Sequence, residues 1–164
     1  MDDDTSNGSR ETMTKGELGP AKEAAVAGFL DMGPDHLNCA QAVVRFSMLV
    51  LGYDPELVVL AQYFGGGVVR MGHICGALSG AALSLGIRDS HLPEHGSDGM
   101  AQNTDKLQQL VGDFEKEFGA ATCGLLTGHD IRTREGYLRF KEDKVSDRCP
   151  LYVGWVCDHL YEML

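Results

Sequence analysis

The chain is short of cations: 14 Lys plus Arg stand against 24 Asp plus Glu in 164 residues, a formal net charge of −10. A surface this acidic repels phosphate backbones and anionic lipid, which sets nucleic acid aside as a partner. Long apolar runs are missing as well. The longest uncharged stretch, Met71 to Ile87, is too short and too rich in Gly, Ser and Ala to span a bilayer, so no membrane insertion is predicted. There are 5 Pro beside 21 Gly, which argues for tight packing and short flexible loops over extended linkers. No segment alternates apolar and polar residues for long enough to read as a convincing strand. There is no C-x-x-C, which excludes a thioredoxin-type dithiol, a haem c attachment site and a locally written zinc ribbon. A phosphate loop ending in G-K-[ST], paired Glu-x-x-His helices, a G-x-S-x-G elbow and an H-E-x-x-H helix are also absent, which disfavours nucleotide hydrolysis, ferritin-like oxidation and the common hydrolase mechanisms.

What is present is globular: 43% apolar and 23% charged residues. Residues 1–13 are acidic and lack an apolar run, so they read as a disordered tail and not a secretory signal, with a cytoplasmic protein as the expectation. Residues 14–164 read as one helical four-cysteine domain. Gly19-Pro20 precedes an amphipathic segment that stops at Gly33-Pro34, and Asn38 caps a nearly all-apolar helix closed by Gly52. Asp54-Pro55 opens a further helix that ends at Gly65-Gly66-Gly67. Gly72 to Gly86 reads as a helix lined with small residues, and a polar loop from Ser90 to Gly99 leads into a charged helix through Phe118. Thr122 caps a short helix, GYLRFKED makes another turn or two, and Pro150 starts the last one. The fold class is therefore all-α, a compact multi-helix bundle with short loops and a glycine-lined central helix.

Five cysteines in a chain expected to stay reduced read as free thiols, ligands or redox groups, and an odd number cannot pair completely. Four of them are predicted at helix starts: Cys39 after the Asn38 cap, Cys75 in the first turn after Gly72, Cys123 after Thr122, and Cys149 before Pro150. There the free backbone N–H groups and the helix dipole favour a thiolate, and would equally stabilise a thiolate-ligated metal centre. Cys157 falls well inside the last helix among Trp155, Val156 and Leu160, where a buried hydrophobe is the simpler account.

Gly72, Gly76, Gly80 and Ser84 recur every four residues, leaving one side of their helix almost bare. A glycine inside a helix costs about 1 kcal/mol relative to Ala, so close approach of a neighbouring helix, or room for a cluster beside Cys75 next to Gly76 and Gly80, should offset it. His36 and His73 lie close enough in sequence to Cys39 and Cys75 to enter a mixed site or tune it, although a capping or surface role is the simpler reading. The triple glycine could offer backbone N–H groups to an anion, with Arg70 close by.

Cys39, Gly65-Gly66-Gly67, Cys75-Gly76-Ala77-Leu78-Ser79-Gly80, Cys123 and Cys149 together resemble a family of redox-active proteins named for four cysteines with an internal CGAxxG motif. The match in order and context runs from about Asn38 to the C-terminus. The resemblance implies a small helical domain of bacterial type with redox activity at Cys39, Cys75, Cys123 and Cys149. A similar domain accompanies the haem region of split-Soret cytochromes c, where the cysteines look like iron–sulfur ligands; with no C-x-x-C-H here, no haem is implied.

The resulting expectation is a redox protein that transfers or senses electrons through an iron–sulfur centre held by these four thiols. Two alternatives stay open: a thiol–disulfide oxidoreductase using the same cysteines, and a zinc-bound or metal-free interaction module, with a homodimer through the glycine-lined helix as a further expectation. The redox partner is unknown, and the sequence does not decide whether the protein is an enzyme.

Overall fold

The computed structural model describes residues 15–91 and 97–164. The tail predicted over residues 1–13 and the middle of the loop after Ser90 lie outside the described residues. The rest is helical: α1 (Lys15–Leu30), α2 (Cys39–Leu51), α3 (Gly76–Ser90), α4 (Ser97–Phe118), α5 (Cys123–Thr127), α6 (Arg134–Glu142) and α7 (Cys149–Leu160). Short 3₁₀ segments cover Pro55–Ala61, Val145–Arg148 and Tyr161–Met163. Among the described residues the only strand-like pairing is an isolated antiparallel bridge between Ile74 and Thr122, so the all-α reading holds. No described helix is long and apolar enough to cross a membrane.

Local signals set most boundaries. Asn38 accepts hydrogen bonds from the Ala40 and Gln41 amides at 2.9 and 3.0 Å, while Gln41 Oε1 accepts from the Asn38 amide at 3.1 Å, a complete capping box. Gly52 closes α2 at φ 64°, in the left-handed region where glycine carries no Cβ penalty. Four expectations need correction, the first being the loop predicted from Ser90 to Gly99, since Ser90 closes α3 and residues 97–99 open α4. Gly19-Pro20 does not precede α1 but falls inside it. The Pro55 segment is 3₁₀, not α. The glycine-lined helix begins at Gly76, and Gly72 at φ 75° belongs to the preceding loop.

The main packing unit is α2 against α3, and the bare stripe explains it. A Cβ on Gly80 would lie 2.7 Å from the Ala40 carbonyl oxygen and 2.9 Å from Val43 Cβ, and one on Gly76 would lie 2.3 Å from Cys39 Sγ. The glycine cost in α3 is thus offset by backbone contact with the first turn of α2. Phe46, Val43 and Leu160 are fully buried in the main core, and α7 meets α4 through Phe114, Phe118, Tyr152 and Trp155, whose rings lie 4.8–5.8 Å apart edge to face. This frame holds the starts of α2, α3, α5 and α7 close to one another.

Candidate functional site

Each of the four cysteines stands at the start of a different helix: Cys39, Cys123 and Cys149 are the first residues of α2, α5 and α7, and Cys75 is the residue before α3. Backbone pairing ties two of them together. The Cys75 amide donates to the Ala121 carbonyl at 2.8 Å, the Cys123 amide to His73 O at 2.7 Å, and the Gly124 amide to Gly72 O at 2.9 Å, so Cys75 and Cys123 leave one small ladder. A Cβ on Gly67 would sit 2.9 Å from Cys123 Cβ and 2.6 Å from the His73 backbone, so the triple glycine packs directly on that ladder. Asn38 fixes Cys39 to the same loop: beyond its capping role, its Nδ2 donates to Gln62 O at 2.9 Å and Ala61 O at 3.3 Å.

Cys39, Cys123 and Cys149 line one pocket of about 590 Å³, partly exposed, while Cys75 is buried behind them. Every pair of the four lies close enough for each thiol to feel the charge of the others. Cys157 lies elsewhere: it is fully buried in the main core, and the charges that reach it are those of Asp158 and Lys22.

The electrostatics correct one expectation. Helix starts do not turn these groups into ready thiolates, because burial outweighs the amides. Desolvation pushes Cys123 up to about 11 and Cys149 up to about 12, with the neighbouring thiols adding to both. Cys75 is pushed higher still by burial and then by Cys39. Cys39 is also raised by desolvation, against the opposing backbone N–H groups of Gly66, Ala40 and Gly76 around its sulfur. Tyr152 on α7 is raised by burial and then by the charge of Cys149, with Cys75 and Cys123 contributing, so its phenol borders the same site. Four uncharged thiols at neutral pH suit a centre whose own positive charge displaces the protons.

Whether the donors fit a metal can be tested on their chemistry and spacing. Four thiols are the ligand set of an iron–sulfur cluster. Among the described residues, however, no three His, Cys, Asp or Glu side chains close on a point where a single ion could be held. A tetrahedral zinc site needs its sulfurs at about 2.3 Å from one centre, and that arrangement is not preformed. A polynuclear cluster spreads its ligands over a wider polygon; here the Cys39 sulfur takes the room that a Cβ on Gly76 would fill, which fixes its place beside the start of α3.

The histidines play mixed parts. His36 lines the pocket, with Nδ1 2.9 Å from Asp31 O, and His73 contributes only backbone bonds to Gly67 and Cys123. His129 pairs with Asp143 at 3.3 Å, His91 stacks on Tyr53 at 4.3 Å, and His159 stacks on Trp155 at 3.7 Å. Gly80 packs on α2 and not on the pocket. Sequence reasoning missed the pocket wall supplied by α6, Tyr137, Phe140 and Lys141, because that helix carries no motif. It also missed a left-handed turn: Gly66, Gly67, Val68, Val69 and Arg70 all have φ between 45° and 67°.

A protein-family model described as "Putative redox-active protein (C_GCAxxG_C_C)" matches residues 37–163, most of the chain. Residues 75–80 read C-G-A-L-S-G, with the first two letters of the printed motif exchanged. No curated protein and no solved structure matches.

Proposed function

The chain belongs to this redox-active family, and on that premise we propose that Cys39, Cys75, Cys123 and Cys149 form its redox centre as ligands of an iron–sulfur cluster, used to transfer or sense electrons. The observation that carries the reading is convergence: of four thiols from four helix starts, far apart in sequence, three line one pocket and the fourth, Cys75, lies buried close to all three. When bound, such a cluster supplies reversible one-electron chemistry at a potential set by its burial and by hydrogen bonds to its sulfurs. The chain supplies those settings. Amides of Gly66, Ala40 and Gly76 face Cys39, and an amide at Ala77 faces Cys75, where N–H donation lowers electron density on sulfur. Cys75 is the one buried thiol of the four, the others being partly exposed.

A thiol–disulfide couple is less well supported, because attack requires thiolate and burial holds these groups protonated. Preformed zinc binding lacks a converging point. The test is isolation or reconstitution without oxygen. Visible charge-transfer absorption with matched iron and sulfide is expected, lost in each of the Cys39, Cys75, Cys123 and Cys149→Ser variants. A colourless protein holding zinc, or no metal under reconstituting conditions, would overturn the reading.

A further inference from the structure

The mouth of the thiol pocket has a composition that holding a cluster does not explain. Above the sulfurs the walls are aromatic, with Phe29 from α1, Tyr63 from the glycine loop, and Tyr137 and Phe140 from α6. Two cations stand at the rim. The Arg70 guanidinium lies 4.8 Å from the centroid of the Tyr137 ring, and Lys141 Nζ lies 5.8 Å from it. Among the described residues Lys22, Arg88, Lys116, Arg132 and Arg139 reach a carboxylate, whereas Arg70 and Lys141 do not, in common with Arg45, Lys106, Arg134, Lys144 and Arg148; what sets Arg70 and Lys141 apart is that both stand over one ring at the pocket. The other ionisable side chains on this wall, beyond the thiols and tyrosines, are His36 and Asp147. In a protein of net charge −10, a rim with two unpaired cations and one carboxylate is a local reversal of sign.

The backbone adds a second, independent observation. Val68, Val69 and Arg70 have φ of 62°, 45° and 65°, a conformation that costs a non-glycine residue about 1–2 kcal/mol each. The turn is held by bonds that reach back across it, Val69 N–H to Tyr63 O at 2.8 Å and Arg70 N–H to Gly65 O at 3.2 Å. Val69 and Arg70 both line the pocket from this strained position. Strain of this kind gathers where a side chain must be aimed at a ligand.

We propose that this mouth is a binding site for a small organic anion with an aromatic or flat apolar body, its acidic group held between Arg70 and Lys141 and its body directed inward toward the thiol centre. The orientation follows from charge. The pocket's cationic side chains, Arg70 and Lys141, stand together on the Tyr137 ring, where a carboxylate or sulfonate pairs with them and leaves its apolar body to the aromatic walls of Phe29, Tyr63 and Phe140 beside the thiols. The volume of about 590 Å³, shared with whatever the thiols hold, lies within the range of small-molecule sites. The inference deepens the redox reading and rests on it for the role of the ligand as electron donor or acceptor, but the binding itself requires only the rim and walls.

The test is titration calorimetry of the anaerobically prepared full chain with naphthoate and with naphthamide, the same bicyclic body with and without a charge. Naphthoate is expected to bind about tenfold more tightly, the order of magnitude of two partly exposed ion pairs. The double variant Arg70→Gln, Lys141→Gln should erase that preference, while Arg70→Lys alone keeps it. Equal binding of the two compounds, or a preference that survives in the double variant, overturns the proposal. The apolar cavity between α3 and α4 is lined by Leu78, Leu83, Leu107 and Val111 with no cation, so binding there shows no charge preference. Iron and sulfide measured on the same samples separate the two readings. Full iron without a preference removes the anion site and leaves the cluster; a preference without iron does the reverse.

Discussion

Three glycines of one helix should answer the same substitution with different signs. Gly86 has open space around its missing Cβ, so Gly86→Ala is expected to stabilise the protein by about 0.5–1 kcal/mol through helix propensity alone. Gly80 is the contrary case. A Cβ there meets the Ala40 carbonyl at 2.7 Å, and backbone cannot swing aside, so overpacking of about 1–3 kcal/mol exceeds the propensity gain and leaves a net loss of about 1–2 kcal/mol. At Gly76 the Cβ would fall 2.3 Å from Cys39 Sγ and 3.0 Å from the Phe64 carbonyl, so Gly76→Ala should lose similar stability and also displace a proposed ligand. In a chain of this length about 1 kcal/mol moves Tm by roughly 2–4 °C, which thermal denaturation under anaerobic conditions resolves. The expected pattern is a higher Tm for Gly86→Ala, a lower Tm with iron retained for Gly80→Ala, and a lower Tm with iron reduced for Gly76→Ala. If all three raise Tm, or if Gly80→Ala loses as much iron as Gly76→Ala, the close approach of α2 and α3 does not place Cys39 as argued.

Three further outcomes follow from the same coordinates. Cys157→Ala removes a sulfur from the fully buried core, so it should cost about 1 kcal/mol and leave iron content unchanged; loss of iron would place Cys157 in the centre. Val69→Gly relieves about 1–2 kcal/mol of left-handed strain against a glycine entropy cost of about 0.5–1 kcal/mol, and Val69 is 57% exposed, so urea denaturation should show stability equal to or slightly above that of the parent. A clear loss there would mean the turn is not strained. In iron-free protein, burial raises Cys123 to about 11 and Cys149 to about 12 while the unfolded thiols ionise near 9, so the folded state binds more protons above that pH. Their contribution to stability is complete below pH 9 and is lost as the pH climbs through 9 toward 11–12; denaturation midpoints that stay flat or rise over that interval contradict the burial of these thiols.

Much of this architecture is written locally. Asn38 with Gln41, Gly52 and Pro150 mark ends of α2 and the start of α7 through short-range chemistry that any chain of this sequence would express. The spacing of Gly76 and Gly80 announced a bare helix face, and its neighbour proved to be the first turn of α2, which also carries Cys39. Other features were beyond local reading because they depend on distant partners. Pro20 sits inside α1 and Gly72 outside α3, the latter because the Gly72 carbonyl is claimed by the Gly124 amide across the molecule. The left-handed run at Val68, Val69 and Arg70 contradicts residue preference outright, and Tyr137 and Lys141 join the pocket from a helix with no distinguishing motif.

The largest departure concerns charge, and it bears directly on function. A helix start contributes on the order of 0.3–1 kcal/mol toward an anion, up to about 2 kcal/mol when partly buried, and one pKa unit corresponds to about 1.4 kcal/mol. The rise of Cys149 from 9 to about 12 is therefore larger than a single helix end can reverse. Helix starts gathered in one place thus do not generate free thiolates here; under the proposed reading they would lower the cost of four negative sulfurs bound to a positive centre. The same burial makes the protonated thiols poor nucleophiles, and under the proposed reading their reactivity would follow occupancy of the pocket.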